Sequence, residues 1–387
     1  MPARTYMVVD RRHDHGFRVP RPDLSTRLGS PNACNDCHTD KSTDWATSAI
    51  ERWYGPSRKG FQNFAEAFHA GWTDTPDGEK LLSAVVTDGH APAVARASAL
   101  SALAPLVSPS NIDLARAGLG DPDPMVRIGA LDMLENAPAA QLWPVVAPLL
   151  ADPVRGVRIR AVFRLASIPT VSQPATDRDR FERAAAEFVA AQRLNADRPE
   201  ARATLATFYA QRGLNAEAEG EYRSALRLNP QFAPAAINLA DLYRQLGRDG
   251  EGGQVLQTAI LAAPQDAGLH HALGLALVRA KQLDKALEEL RRATELDPNR
   301  TRYAYVYAVA LNSAGRPEEA MVALKENFAR HPNDRDTLTA LIAFSRDIGD
   351  VNAALEYAQQ LARIAPTDRG LAALIDALRR QVESGRR

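Results

Sequence analysis

Five prolines, Pro230, Pro264, Pro298, Pro332 and Pro366, stand 34 residues apart in every interval. Glycine keeps the same beat at Gly213, Gly247, Gly315 and Gly349, with Lys281 in the remaining place. Leu205, Leu239, Leu273 and Leu341 share a register completed by Tyr307, and Ala218, Ala286, Ala320 and Ala354 share another completed by Gly252. A fixed period of this length signals stacked supersecondary units, none of which buries its apolar face alone. One unit, "LATFYAQRGLNAEAEGEYRSALRLNP", reads as an amphipathic helix, a Gly turn, a second amphipathic helix and a Pro stop. Glycine permits the left-handed turn that ends the first helix, small Ala lets the pair approach, and Pro stops the second helix.

These residues resemble the tetratricopeptide repeat, with five copies over 199–366, half a repeat before them ("FERAAAEFVAAQRLNA") and a capping helix after ("LAALIDALRRQVE"). A second period lies upstream: Arg96, Arg127 and Arg158 are 31 residues apart, as are Ala99, Ala130 and Ala161. Their surroundings, "DPDPMVRIGALDML" and "ADPVRGVRIRAVFRL", look like HEAT-type repeats, in which an Asp-Pro turn leads into a helix. The expected fold is therefore all-α: an α-solenoid of HEAT-like units followed by five tetratricopeptide repeats, behind a short, largely irregular N-terminal segment. The expected divisions are 1–77 for that segment, 78–168 for the HEAT-like repeats, 169–180 for a linker and 181–383 for the second array with its cap.

A solenoid offers a long concave surface that usually holds another protein. Its first helices would line the groove with Ile237, Asp241, Arg244, His271, Tyr305, Asn312 and Arg346. Members of the repeat family that bind chaperone tails use a Lys/Asn carboxylate clamp, which Ala203, Thr207, Ile237 and Asp241 do not reproduce. His270 and His271 are adjacent on a helix and point about 100° apart, so packing or groove lining is expected rather than shared metal ligation. His90 is expected in a surface loop. Lys plus Arg equals Asp plus Glu, 47 each, which argues against nucleic acid or an anionic membrane surface as the main partner. No apolar run approaches the ~20 residues of a membrane span.

The chemistry of the chain concentrates in "PNACNDCHTDK", which holds its only two cysteines. Cys34 and Cys37 with His38 form a Cys-x-x-Cys-His run. Two thiols at this spacing can add to the two vinyl groups of a haem, and the following His is then carried under the iron. A zinc site would need two more ligands, with His13 and His15 nearest, and two ordinary thiols in a loop remain the plain alternative. The stretch "WATSAIERWYGPSRKGFQNFAEAFHAGW" favours haem, because a segment too small for its own core needs a cofactor or staple. There Trp45, Ile50 and Trp53 can share one helical face, and Phe61, Phe64, Phe68 and His69 another. The alternative is that these rings seal the first HEAT-like unit.

With that motif, "YMVVDRRHDHGFRVPRPDLS…GSPNACNDCHTDK" looks like the last haem-binding segment of multihaem c-type cytochromes that continue into HEAT-like and tetratricopeptide repeats. The resemblance implies haem c, at least one, held through Cys34 and Cys37, with His38 as proximal ligand. His15 is the first candidate for the distal ligand and His69 the second, ahead of His13 and Met7. In that family haem motifs often continue into Met-Pro, as Met1-Pro2 begins here, so the expected native product extends upstream through another haem motif and an export signal. The implied location is periplasmic or otherwise exported. The implied function is an electron-transfer module fused to a docking solenoid whose groove holds a redox protein or an envelope complex. The alternatives are a non-redox scaffold acting by protein binding alone and part of a multihaem oxidoreductase. No catalytic constellation is evident in the sequence.

Overall fold

The computed structural model describes residues 3–6, 10–13, 20–56, 63–73, 75, 77–108, 111–364 and 368–385. It opens on two short antiparallel strands, β1 (Ala3–Tyr6) and β2 (Asp10–His13), with Ala3 opposite His13 and Tyr6 opposite Asp10. Four helices follow: α1 (Pro22–Leu28), α2 (Ala33–Cys37), α3 (Thr43–Tyr54) and α4 (Ala65–Trp72). Their starts are written locally. Pro22 occupies the first turn of α1, the Asn32 side chain accepts from the N–H groups of Cys34 and Asn35, and Ser42 accepts from Trp45. Asn32 also donates to Ser25 at 2.9 Å, fastening α2 to the end of α1.

Three helix pairs come next: α5 (Gly78–Thr87) with α6 (Ala93–Ala102), α7 (Ile112–Leu119) with α8 (Pro124–Met133), and α9 (Ala139–Val146) with α10 (Arg155–Leu165). The 31-residue arginines form a ladder across them. Arg96 pairs with Asp121, Arg127 with Asp152 and Arg158 with Glu187, so each guanidinium reaches a carboxylate one unit further along. Arg127 also donates to the Asp121 carbonyl, and Arg158 to the Asp152 carbonyl, both at 2.7 Å. The same aspartates close their own Asp-Pro turns by accepting from the N–H groups of Asp123 and Val154. Burial would push the Asp121 carboxyl up, but Arg96, the Asp123 N–H and Arg127 hold it below the ordinary carboxylate value. Ala99, Ala130 and Ala161 are fully buried in the core that joins the pairs.

Residues 169–180, expected as a linker, instead hold a 3-10 turn at Thr170–Ser172 and the first turn of α11 (Ala175–Leu194). Pro174 sits at the helix cap, where its missing N–H costs nothing, and Gln173 is buried, donating to the Ile168 carbonyl. The second array is five pairs, each with a 13-residue helix followed by a 14-residue one. They are α12 (Pro199–Gln211) with α13 (Asn215–Leu228), α14 (Ala233–Gln245) with α15 (Asp249–Ala262), α16 (Ala267–Arg279) with α17 (Leu283–Leu296), α18 (Thr301–Ser313) with α19 (Pro317–Arg330), and α20 (Arg335–Asp347) with α21 (Val351–Ile364). Each intra-pair turn passes through a positive φ: 73° at Gly213, 69° at Gly247, 76° at Gly315 and 79° at Gly349, with Lys281 forced to 58°. Ala218, Ala286, Ala320 and Ala354 are fully buried, and at Gly252 a Cβ would lie 3.1 Å from the Ala240 carbonyl oxygen, a tight approach. Finally α22 (Arg369–Gly385) caps the stack, burying Leu371, Ile375 and Leu378 against Ala354 and Ala358. Among the described residues no helix is long and apolar enough to cross a membrane. Pro366 lies outside the described residues.

Candidate functional site

Two places in the chain gather chemistry. The first is the thiol turn. Helix α2 is a single capped turn that carries Cys34 and Cys37 three positions apart, about 60° from eclipsing one another. Both are free thiols, Cys34 half-buried and Cys37 exposed. His38 ends the turn, donating its N–H to the Cys34 carbonyl at 2.8 Å and accepting from the Lys41 N–H at 3.1 Å. Its exposed imidazole packs on Trp45, ring centroids 5.0 Å apart. The sequence spacing and the local fold thus put two thiols and one imidazole at the surface within five residues, a donor set that fits covalent attachment of a haem and ligation of its iron. Among the described residues no three His, Cys, Asp or Glu side chains are placed to hold a metal ion.

His69 stands on α4, half-buried, a helix that packs on α1, α5 and α6, whereas the thiol turn packs on α3. His15 and Met7 lie outside the described residues, and His13 ends β2. The aromatic face expected from Trp45, Ile50 and Trp53 does not pack as one. Ile50 is buried, but Trp45 is 38% and Trp53 69% exposed; Trp45, five positions from Ile50, lies about 140° round the helix from it. Phe64 and Phe68 do join the core of the first helix pairs; Phe61 lies outside the described residues. Tyr54 and Trp72, at 73% and 75% exposure, leave further ring surface open to solvent. His90 is exposed in its turn.

The second place is a cavity of about 900 Å³ on the solenoid. It lies where the starts of α16 and α18 face Trp72, at the end of α4. His270 and His271 part company here, as their 100° offset requires. His270 is buried structure: its Nδ1 is 2.6 Å from Glu289 and its Nε2 3.1 Å from the Pro264 carbonyl. His271 lines the cavity beside Ile237, and its ring lies 4.6 Å from Tyr303. Its buried Nδ1 has no hydrogen-bond partner, and neither has Nε2 of His331 on the same cavity. Burial, and then the charges of Arg302 and Arg300, push the His271 imidazole down to about 4. Arg300 lies over the Tyr303 ring and Arg302 over the Tyr305 ring.

Of the groove residues read from sequence, His271 and Ile237 reach this cavity. Asp241 and Arg244 pair with each other at 2.7 Å on the exposed side of α14, Arg346 is exposed and Asn312 half-buried. Sequence reading missed Tyr303, Arg300, Arg302, His331 and Trp72. The available signal was the run "PNRTRY" and the His331-Pro332 pair at equivalent inter-unit turns. A separate cavity of about 520 Å³, between α13 and α15, is lined by Leu226, Pro230, Tyr243 and Val255.

Residues 158–332 match the family model described as tetratricopeptide repeat. No match is found among curated proteins. Among solved structures the chain is similar to PilW, a widely conserved type IV pilus biogenesis factor, at 20% identity over 58% of this chain and 100% of that one, TM-score 0.42. It is similar to PilF of Pseudomonas aeruginosa at 20% identity over 59% and 99%, TM-score 0.40. It is also similar to YrrB, described as a TPR protein with an unusual peptide-binding site, at 24% identity over 48% and 95%, TM-score 0.37.

Proposed function

We propose that this chain, whose second half is a tetratricopeptide-repeat solenoid, is a scaffold that works by docking a protein segment in its groove. The observation that carries the reading is the cavity lined by His271, Tyr303 and His331, where two buried imidazole nitrogens lack partners. Buried polar atoms usually pair with protein or with water, and a docked chain is one source of such partners. The test is selection of peptides from a displayed random library on the purified protein, followed by rebinding to Tyr303→Ala and His271→Ala. Groove-dependent binders are expected. Selected peptides that bind both variants as well as the parent, or none at all, would overturn the reading.

A second reading is carried by the thiol turn. In it Cys34 and Cys37 hold haem c through thioethers, His38 binds the iron from one side, and His15 or His69 from the other. The haem would supply one-electron transfer, and the exposed rings of Trp45, Trp53 and Tyr54 would give its faces apolar neighbours. The same reading makes the chain an exported protein, 1–77 its haem segment, 78–168 HEAT-like repeats, and its groove partner a redox protein or an envelope complex. Expression with haem-maturation machinery decides it: covalent haem that survives denaturation and is lost in Cys34→Ser supports it, and colourless protein sinks it. Carbon monoxide binding to the reduced haem would turn the assignment towards a multihaem oxidoreductase.

A further inference from the structure

The cavity at the starts of α16 and α18 has a one-sided charge. Among the described residues its lining includes Arg300, Arg302, His271 and His331 and no carboxylate. Among the described residues Arg300 has no ion-pair partner, and Arg302 reaches Asp336 only at 3.7 Å, between two exposed side chains. Positive charge therefore predominates among these lining groups, and after burial the Arg302 and Arg300 charges add to the lowering of the His271 imidazole. The lining also includes the apolar side chains of Trp72, Ile237 and Leu275. The volume is towards the upper end of the roughly 300–1,000 Å³ range of ligand pockets.

The arrangement of the two guanidiniums selects among anions. Arg300 and Arg302 are two positions apart at the start of a helix and lie over different rings, Tyr303 and Tyr305. They are thus held apart rather than converged on one point, and a single small anion meets one of them well. Two carboxylates spaced along an extended chain meet both. A neutral imidazole can place its hydrogen on the unpartnered nitrogen and donate it to a carboxylate. The apolar lining gives no advantage to inorganic phosphate and a clear one to a peptide side chain.

We infer that this cavity receives an acidic peptide segment, whose spaced carboxylates pair with Arg300 and Arg302 while an intervening apolar side chain packs on Trp72 and Ile237. The inference rests on the docking reading and names the chemistry of its partner.

The experiment is fluorescence anisotropy on the full chain with labelled Asp-Leu-Glu-Phe-Asp-Leu, its Asn/Gln isostere, and inorganic phosphate as competitor. Saturable binding of the acidic peptide is expected, weakened at least tenfold in Arg300→Gln/Arg302→Gln and severalfold in Trp72→Ala. Both arginines are exposed, so circular dichroism should find the double variant folded. Equal binding of the isostere, an unchanged affinity in the double variant, or full displacement by millimolar phosphate would each overturn the inference. The two levels fail separately. Library peptides that need Tyr303 yet lack acidic residues would leave docking standing and remove the acidic partner, whereas the absence of any groove-dependent peptide would remove both.

Discussion

Replacing Asp152 by Ala tests what the arginine ladder contributes. The Arg127 side chain is 10% exposed and that of Asp152 4%, against 22% and 34% for Arg158 and Glu187. Nη2 of Arg127 donates to Asp152 at 3.0 Å, and Nε lies 2.8 Å from the other oxygen, although too far off axis to count as a hydrogen bond. Removing one member of a buried pair strands the other charge and costs about 3–5 kcal/mol. Arg127 keeps its bonds to the Asp121 and Pro122 carbonyls, which draws the expectation to the lower end, about 3 kcal/mol. Glu187→Ala breaks a partly solvated pair and should cost about 1 kcal/mol or less. Asp152→Asn keeps an acceptor for the Val154 N–H and so separates the charge from the turn. Because units of a solenoid pack on their neighbours, the loss should be local. Hydrogen exchange of α8 and α10 amides is therefore a better readout than a single unfolding midpoint. If Asp152→Ala and Glu187→Ala lower protection of these helices by amounts within 1 kcal/mol of each other, burial does not set the value of these pairs and the reasoning fails.

Lys281→Gly should stabilise the array by up to about 1 kcal/mol, because it relieves a positive φ that a Cβ disfavours; Gly247→Ala should lose a similar amount, both read from urea midpoints. Gly129→Ala places a Cβ 2.4 Å from the Ala97 carbonyl oxygen and 2.7 Å from its Cα, so about 2–3 kcal/mol should be lost as α6 and α8 are pushed apart. Gly220→Ala, with nothing within 4 Å and a place in the interior of α13, should instead gain up to about 1 kcal/mol, and the pair is compared by thermal unfolding. His271 is depressed to about 4 from an ordinary 6.5, so the unfolded chain takes up its proton first as pH falls. Its contribution is intact above pH 6.5 and lost on the way down to 4; urea midpoints of His271→Gln should fall less steeply across that window, and identical slopes would count against the burial of this ring.

The second array was legible because each unit meets the same backbone demand in the same place. Four glycines and one lysine all take the positive φ, and Lys281 marks where the geometry outlasts its preferred residue. The arginine period was equally visible, but its meaning depends on carboxylates 25 residues downstream at Asp121 and Asp152. The last rung goes to Glu187, on the longer helix α11, where the period ends. The segment 169–180 misled because Pro169, Pro174 and a polar run look like a loop; Pro174 caps a helix whose Asp177 accepts from the Trp143 indole at 3.1 Å. The cavity was only half legible. His271 lies on a predicted helix face, but Arg300 and His331 come from two inter-unit turns and Trp72 from far upstream, and no local pattern announces that meeting.

The distribution of apolar packing decides how such a cavity can respond to a ligand. One buried cluster runs from Ala67 and Phe68 through the three helix pairs and α11 to Leu205 and Phe208 in α12. Beyond it the core divides into successive clusters, around Tyr222 and Tyr243, then Leu256 and Leu273, then Leu290 and Leu324, then Ala358 and Ile375. Relative motion needs only the interfaces between clusters to shift, whereas motion inside the first cluster would open fully buried side chains. Trp72 belongs to a helix rooted in the continuous part, through Phe68. His271 and Arg300 belong to the divided part. A chain that touches both walls is therefore set against small bends between α12 and α18, not against any repacking beneath the thiol turn. Its affinity should follow the stiffness of those inter-unit contacts as much as the charge it carries.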